Sequence, residues 1–174
     1  MPLYEFKEVD LEDYLIEKDK KGKTNLEKNY NLRFIANQYK IDKFEIDILA
    51  YSKKEKCFYI IELKRNAIDT KAYCQAMKYY NLLSSKYPMK TFKILLIGDR
   101  LEKDLYFNVF DYFNDESMSS HNVYYSIYNF EINFKFNFYD VNQREKEELM
   151  DNMITDYDIR KKYVRGNYGN IQTD

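Results

Sequence analysis

Between residues 44 and 99 the sequence reads FEIDILAYSKKEKCFYIIELKRNAIDTKAYCQAMKYYNLLSSKYPMKTFKILLIGD. Two runs rich in β-branched and aromatic residues, FEIDILAY and FYIIELK, are joined by SKKEK and predict a hairpin. After Arg65, apolar residues recur at Ala72, Ala76, Tyr79/Tyr80 and Leu83, the spacing of a helix. Asn66 or Asp69 is available to cap its start, and Pro88 follows its end. Ile94 to Ile97 is then a short continuous apolar run, as in a strand buried on both faces. A strand, a helix and a buried strand make a crossover, so these two strands should be parallel neighbours. With the hairpin, this predicts an α/β fold with a central mixed β-sheet flanked by helices.

The hairpin carries acids where a plain apolar sheet would not. Side chains alternate along a strand, so Glu45, Asp47 and Leu49 should share one face and Phe44, Ile46 and Ile48 the other. Ile60, Glu62 and Lys64 likewise share a face. If the link turns about Lys54-Glu55, paired positions sum to 109, which sets Asp47 opposite Glu62. Like charges so placed cost about 0.2–1 kcal/mol even when exposed, and more between apolar flanks. A cation should compensate: Lys64 on the same face, a divalent metal, or both. Oxygen ligands without His or Cys favour a hard ion such as Mg²⁺ or Mn²⁺, which can bridge to a phosphate. Phosphodiester hydrolysis asks for this combination, because a metal activates water and neutralises phosphate charge while a lysine orients the attacking water.

Asp47, fourteen residues, and then Glu62-Leu63-Lys64 resembles the active site of the PD-(D/E)xK nuclease superfamily, which includes restriction enzymes and RecB-type nucleases. The similarity extends over roughly residues 8 to 98, to the branch of archaeal single-strand-specific and mismatch-type endonucleases. There, a helix like LEDYL, a segment like IANQYK, the strand with Asp, IELKR, and a helix with Gln then Tyr follow in order. The corresponding residues are Glu12, Gln38, Asp47, Glu62, Lys64, Gln75 and Tyr79. The resemblance implies a restriction-endonuclease-like core and a Mg²⁺- or Mn²⁺-dependent endonuclease. Asp47 and Glu62 would ligate metal with the Leu63 carbonyl, Lys64 would assist the water, and Gln75 would steady the site. Glu12 would add a second-shell or second-metal contact. Gln38, Arg65, Lys71 and Lys78 are the expected nucleic-acid contacts, with single-stranded, branched or duplex DNA as substrate. The alternative is a nuclease fold kept as a nucleic-acid-binding or inhibitory module. The family's proline before the Asp is replaced by Ile46, and no glycine marks the turn between the strands.

The 174-residue chain has a net charge of -1, but residues 53 to 93 hold 10 Lys/Arg against 3 Asp/Glu, leaving 18 against 26 elsewhere. That local excess predicts a basic field near the site, suited to a polyanion. The opening residues are too acidic for a secretory signal and no run is long enough to span a bilayer, so no membrane association and a cytoplasmic location are expected. Cys57 and Cys74 are expected to be small, partly buried hydrophobes, and His121 an ordinary loop residue. The 19 Tyr and 12 Phe are assigned mostly to packing.

Elsewhere, DLEDYLIEKDK predicts a first helix capped by Asp10, and Leu32 to Ala36 a short strand before a turn at Asp42-Lys43. LEKDLYFNVFDYF reads as helical, and the alternation Ile132, Phe134, Phe136, Phe138 suggests one or two late strands. Leu149, Met153 and Tyr157 mark an amphipathic C-terminal helix able to hold a protein partner or a second copy as a homodimer. The expected division is a nuclease-like domain over 1–140, then this helix and a frayed tail over 141–174.

Overall fold

A computed structural model describes residues 6–105, 122–131 and 135–140. In chain order its elements are α1 (Glu8–Ile16), α2 (Asn25–Tyr30), β1 (Arg33–Ile41), β2 (Phe44–Ser52), β3 (Cys57–Leu63) and β4 (Ala67–Ile68). There follow α3 (Thr70–Lys86), β5 (Phe92–Gly98), β6 (Arg100–Leu101), α4 (Lys103–Leu105), β7 (Val123–Glu131) and β8 (Lys135–Asp140). Six strands form one mixed sheet in the order β1-β2-β3-β5-β7-β8. β3, β5 and β7 are mutually parallel, and the β1–β2, β2–β3 and β7–β8 contacts are antiparallel. The α/β class, the central mixed sheet, the crossover through α3 and both late strands are thus observed.

The sheet is buried on two sides. Against α3, Ile41, Ile46, Leu49, Ile60, Ile94 and Leu96 pack with Ala72, Ala76, Tyr79 and Leu83. Against α1 and α2, Ile48, Ala50, Ile61, Leu63, Leu95 and Ile97 pack with Leu11, Leu15 and Leu26. A fully buried aliphatic side chain contributes roughly 1.5–3 kcal/mol, so these two layers supply most of what holds the helices to the sheet.

Several local expectations change. Asp10 does not cap α1: the helix starts at Glu8, and Asp10 is its third residue, where its carboxylate accepts the Lys7 N–H at 2.7 Å. α2 was not anticipated, although Thr24 accepts the Glu27 N–H at 3.2 Å and Asn31 closes the helix at φ 57°, both local signals. β1 continues to Ile41, well beyond Ala36. Asp69 caps α3 by accepting the Ala72 N–H at 2.8 Å. Cys57 is buried as expected, whereas Cys74 is exposed, since α3 turns it away from the apolar stripe.

The expectation that Phe44, Ile46 and Ile48 share a face also fails. Phe44 and Ile46 pack on the α3 side and Ile48 on the α1 side. Their partners in β1 behave alike: Tyr39 and Ile41 join the α3 layer, while Asn37 turns to the α1 side and bonds to Glu12. The cause lies between them. Gln38 has φ 49°, a left-handed backbone inside a strand, and the ladder pairs Asn37 with Ile48 and Tyr39 with Ile46 but leaves Gln38 and Asp47 unpaired. A strand that passes through one such residue loses the phase of its alternation. The β1–β2 tip therefore curls over α3, and the Phe44 and Tyr79 rings lie 6.0 Å apart.

Of LEKDLYFNVFDYF, only Lys103–Leu105 is described as helical. Leu101 lies in β6 instead, and residues 106–113, His121, Ile132, Phe134, the C-terminal helix, the tail and the division at 140/141 lie outside the described residues. Among the described residues no helix is long and apolar enough to cross a membrane.

The strand-to-helix connection after β3 depends on Gly98. A Cβ there would stand 2.7 Å from the Asn66 carbonyl oxygen and 2.7 Å from Ile68 Cγ1. The close approach lets the Asp99 N–H donate to that Asn66 oxygen at 2.8 Å. Gly98→Ala should therefore destabilise the fold by about 1–3 kcal/mol through overpacking, read as a lower urea midpoint.

Candidate active site

The β2–β3 register sums to 109, as expected, from Ser52–Cys57 up to Ile48–Ile61. One step further the ladder gives way to side-chain bonds. The Leu63 N–H donates to Asp47 Oδ2 at 2.8 Å, and the Asp47 N–H faces Glu62 Oε1 at 3.4 Å. Asp47 and Glu62 thus sit together at the C-terminal end of β3, and Glu62 is only 3% exposed. The Lys64 N–H donates to the Ile97 carbonyl at 2.7 Å, which ties this end of β3 to β5 and holds the lysine beside the pair.

Helix α1 adds two more acids. Glu8 and Glu12 are four residues apart on one helical face. Glu12 is buried, and its Oε1 accepts from Asn37 Nδ2 at 3.1 Å. Glu8 Oε2 accepts the Arg65 N–H at 3.2 Å. Glu8 and Asn37 are site residues that sequence reasoning missed. Glu8 had a readable signal, its i−4 relation to Glu12; Asn37 had none, because only the curl of β1 brings it under α1.

Both central carboxyls are pushed above their ordinary range. For Glu62 the main cause is burial, followed by the charge of Asp47. For Asp47 it is again burial, opposed by the Leu63 N–H and reinforced by Glu12 and Glu8. Lys64 pulls both down without cancelling the effect. Buried Glu62 and half-buried Asp47, mutually repelling and with one lysine beside them, form a donor set short of positive charge, which fits a hard divalent cation. Among the described residues no group of three acidic, imidazole or thiol side chains is close enough to hold a metal ion. The protein's share would be Asp47, Glu62 and a backbone carbonyl such as that of Leu63, with other positions open to water and phosphate.

The remaining expected residues divide. Gln75 is held by Tyr79, whose hydroxyl accepts from Nε2 at 2.7 Å. Tyr79 lies close enough to Glu62 and Asp47 that their charges help burial to raise its own pKa. Lys78 is exposed and stands over the Phe44 ring, 4.3 Å from its centroid, at the curled hairpin tip. Lys71 is exposed, Arg65 half-buried, and Gln38 exposed at the break in β1.

The basic field is mostly not at the site. Lys53, Lys54 and Lys56 are in the β2–β3 turn, and Lys86, Lys90 and Lys93 surround the α3–β5 link, where Phe58 pairs with Phe92. That is the other end of β3, about 17 Å from Glu62 at roughly 3.3 Å per residue. Clustering in sequence misled because the turn and the link both return to the end of the sheet away from the acids. Lys93 bonds Glu55 there at 2.9 Å.

No protein-family model and no curated protein sequence matches the chain. Two solved structures are similar to part of it. One is a repair endonuclease from Pyrococcus abyssi, 19% identical over 60% of this chain and 42% of that one, with a TM-score of 0.47. The other is an EndoMS–dsDNA complex, 20% identical over 45% of this chain and 33% of that one, with a TM-score of 0.41. The chain therefore spans less than half the length of either structure.

A raised carboxyl pKa has a definite sign in stability. The folded state holds a proton that the unfolded chain releases above the ordinary value of 4.5 for Glu, so stability should fall as pH rises from there through the folded pKa. Metal-free wild type should accordingly melt lower at pH 8 than at pH 5.5. Glu62→Gln should flatten that slope and gain on the order of 1–3 kcal/mol at pH 8, measured by thermal melts in EDTA.

Proposed function

We propose that the protein is a metal-dependent nuclease that hydrolyses DNA phosphodiester bonds. The observation that carries this reading is buried Glu62 set against half-buried Asp47 beside Lys64, with the Leu63 N–H donating to Asp47 Oδ2 at 2.8 Å. A structural sheet has no use for two largely enclosed carboxylates that repel each other, whereas phosphodiester hydrolysis needs charge placed in this way. The order of strand, strand, helix and strand around the pair also agrees with the resemblance to PD-(D/E)xK nucleases.

Asp47 and Glu62 would hold Mg²⁺ or Mn²⁺ with the Leu63 carbonyl. When bound, the ion supplies neutralisation of phosphate charge and an activated water. The chain's own residues have separable tasks. The Leu63 N–H fixes the Asp47 carboxylate in one orientation. Lys64 orients the attacking water and offsets negative charge as the water oxygen bonds to phosphorus and the P–O ester bond breaks. Tyr79, held by Gln75, closes the α3 side of the pair against solvent. Glu12, fixed by Asn37, adds negative charge behind Asp47 and so strengthens its pull on a cation. Lys71, Lys78 and Arg65 are the nearest basic residues for the DNA backbone, and we assign the protein to the cytoplasm with its substrate.

The test is cleavage of single-stranded, branched and duplex DNA with Mg²⁺ or Mn²⁺. Asp47→Ala and Glu62→Ala should each lower the rate by about 10³-fold or more, and Lys64→Ala by about 10²–10³-fold. Full activity in Asp47→Ala and Lys64→Ala would sink the proposal. Calorimetry adds a second arm: Mn²⁺ should bind wild type and not Glu62→Ala. Mn²⁺ binding without any nicking would instead mark a nuclease fold kept as a binding or inhibitory module.

Binding also has a pH signature. Because the raised carboxyls must lose protons to accept a cation, Mn²⁺ affinity should climb with pH, by up to about tenfold per unit for each proton released. An affinity that is flat between pH 6 and pH 9 would contradict the assignment.

A further inference from the structure

We infer that Gln38 is a positioning residue whose left-handed backbone, and not its amide, turns Asp47 out of the β1–β2 ladder toward Glu62 and Leu63. This rests on the nuclease reading and deepens it, by naming what aims the first metal-binding carboxylate.

Three observations carry it. The ladder is paired on both sides of Gln38, at Asn37–Ile48 and Tyr39–Ile46, and is interrupted where Gln38 meets Asp47, separately from the register shift between Phe34 and Ala36. Both strands change face at this same step: in β2 Ile46 packs against α3 and Ile48 on the α1 side, and in β1 Tyr39 packs against α3 while Asn37 bonds to Glu12 of α1. Finally, beyond the break Asp47 bonds to β3, through its carboxylate to the Leu63 N–H and its own N–H toward Glu62.

The identity of residue 38 makes this pointed. A φ of 49° is uncommon for any residue but glycine, asparagine and aspartate, and it is costliest for β-branched side chains. The exposed side chain makes no hydrogen bond among the described residues, so the amide itself explains nothing. The same break also frees Asn37 to face α1, where it holds Glu12 at 3.1 Å. One backbone angle therefore serves two of the four acids.

The experiment compares Gln38→Gly, Gln38→Asn and Gln38→Val in the full chain. Glycine and asparagine accept positive φ, whereas valine resists it. Calorimetry with Mn²⁺ is one readout, and hydrogen exchange of the Leu63 amide, which donates to Asp47 Oδ2, measured without metal is the other. The glycine and asparagine variants should keep both the Mn²⁺ affinity and the protection of the Leu63 amide. The valine variant should lose about 10-fold or more in Mn²⁺ affinity, and its Leu63 amide should exchange about 10-fold or more faster as Asp47 swings away.

Valine behaving like glycine would overturn the inference. So would a glycine variant with intact Mn²⁺ affinity and a raised KM for DNA, which would make the amide a DNA contact. Should the valine variant fail to fold, Gln38→Ala carries the same comparison with less strain. If wild type binds no Mn²⁺, the nuclease reading fails, while metal-free exchange of the Leu63 amide still decides whether Gln38 aims Asp47.

Discussion

A buried carboxylate, Glu62, set beside the half-buried Asp47 is the interaction around which this fold is arranged. Isolated, each would cost several kcal/mol to bury, so the surrounding sheet must hold them firmly enough to prevent escape to solvent. It does so with backbone. The Leu63 N–H grips Asp47, and the Lys64 N–H pins the end of β3 to the Ile97 carbonyl. Apolar layers on both faces, Ile60 with α3 and Ile61 and Leu63 with α1, leave β3 no room to rotate. The strain is local, and hydrophobic burial elsewhere offsets it.

The sheet's centre and the site were legible in the sequence for the same reason. FYIIELK and FKILLIG are strands buried on both faces, so no alternation was needed to recognise them, and the register followed from a short link between Ser52 and Cys57. That register placed Asp47 against Glu62 correctly. What escaped notice was the break one strand away. A left-handed glutamine gives no compositional signal, and the pattern of Phe44, Ile46 and Ile48 is the same whether alternation holds or slips. Only the observed packing, with Ile46 and Ile48 on opposite faces, reveals the slip.

The slip also explains why Asp47, a correctly placed residue, was placed by an incomplete argument. Strict alternation from Leu49 sets it on the α3 face with Glu62; alternation from Ile46 sets it on the α1 face with Glu12. The structure satisfies both, because the change of phase occurs at Asp47 itself. Its carboxyl feels Glu12 and Glu8 from α1 while bonding to Leu63 of β3. A regular hairpin could not have brought these three elements to one carboxylate.

Charge orders the events that such a site can support. Glu8, Glu12, Asp47 and Glu62 meet Lys64 and Arg65 at one end of β3, while six lysines gather around the turn and link at the other. On the proposed reading, a phosphodiester approaching the bare site would meet net negative charge and be repelled, although the distant lysines would attract the same polyanion to the molecule as a whole. Attraction and admission are thereby separated by the length of a strand. The acids become acceptable neighbours for a phosphate only once a cation offsets them, so the cation must come first and the DNA second. The raised carboxyl pKa values express the same requirement: burial and mutual repulsion disfavour the fully charged pair until a cation offsets it.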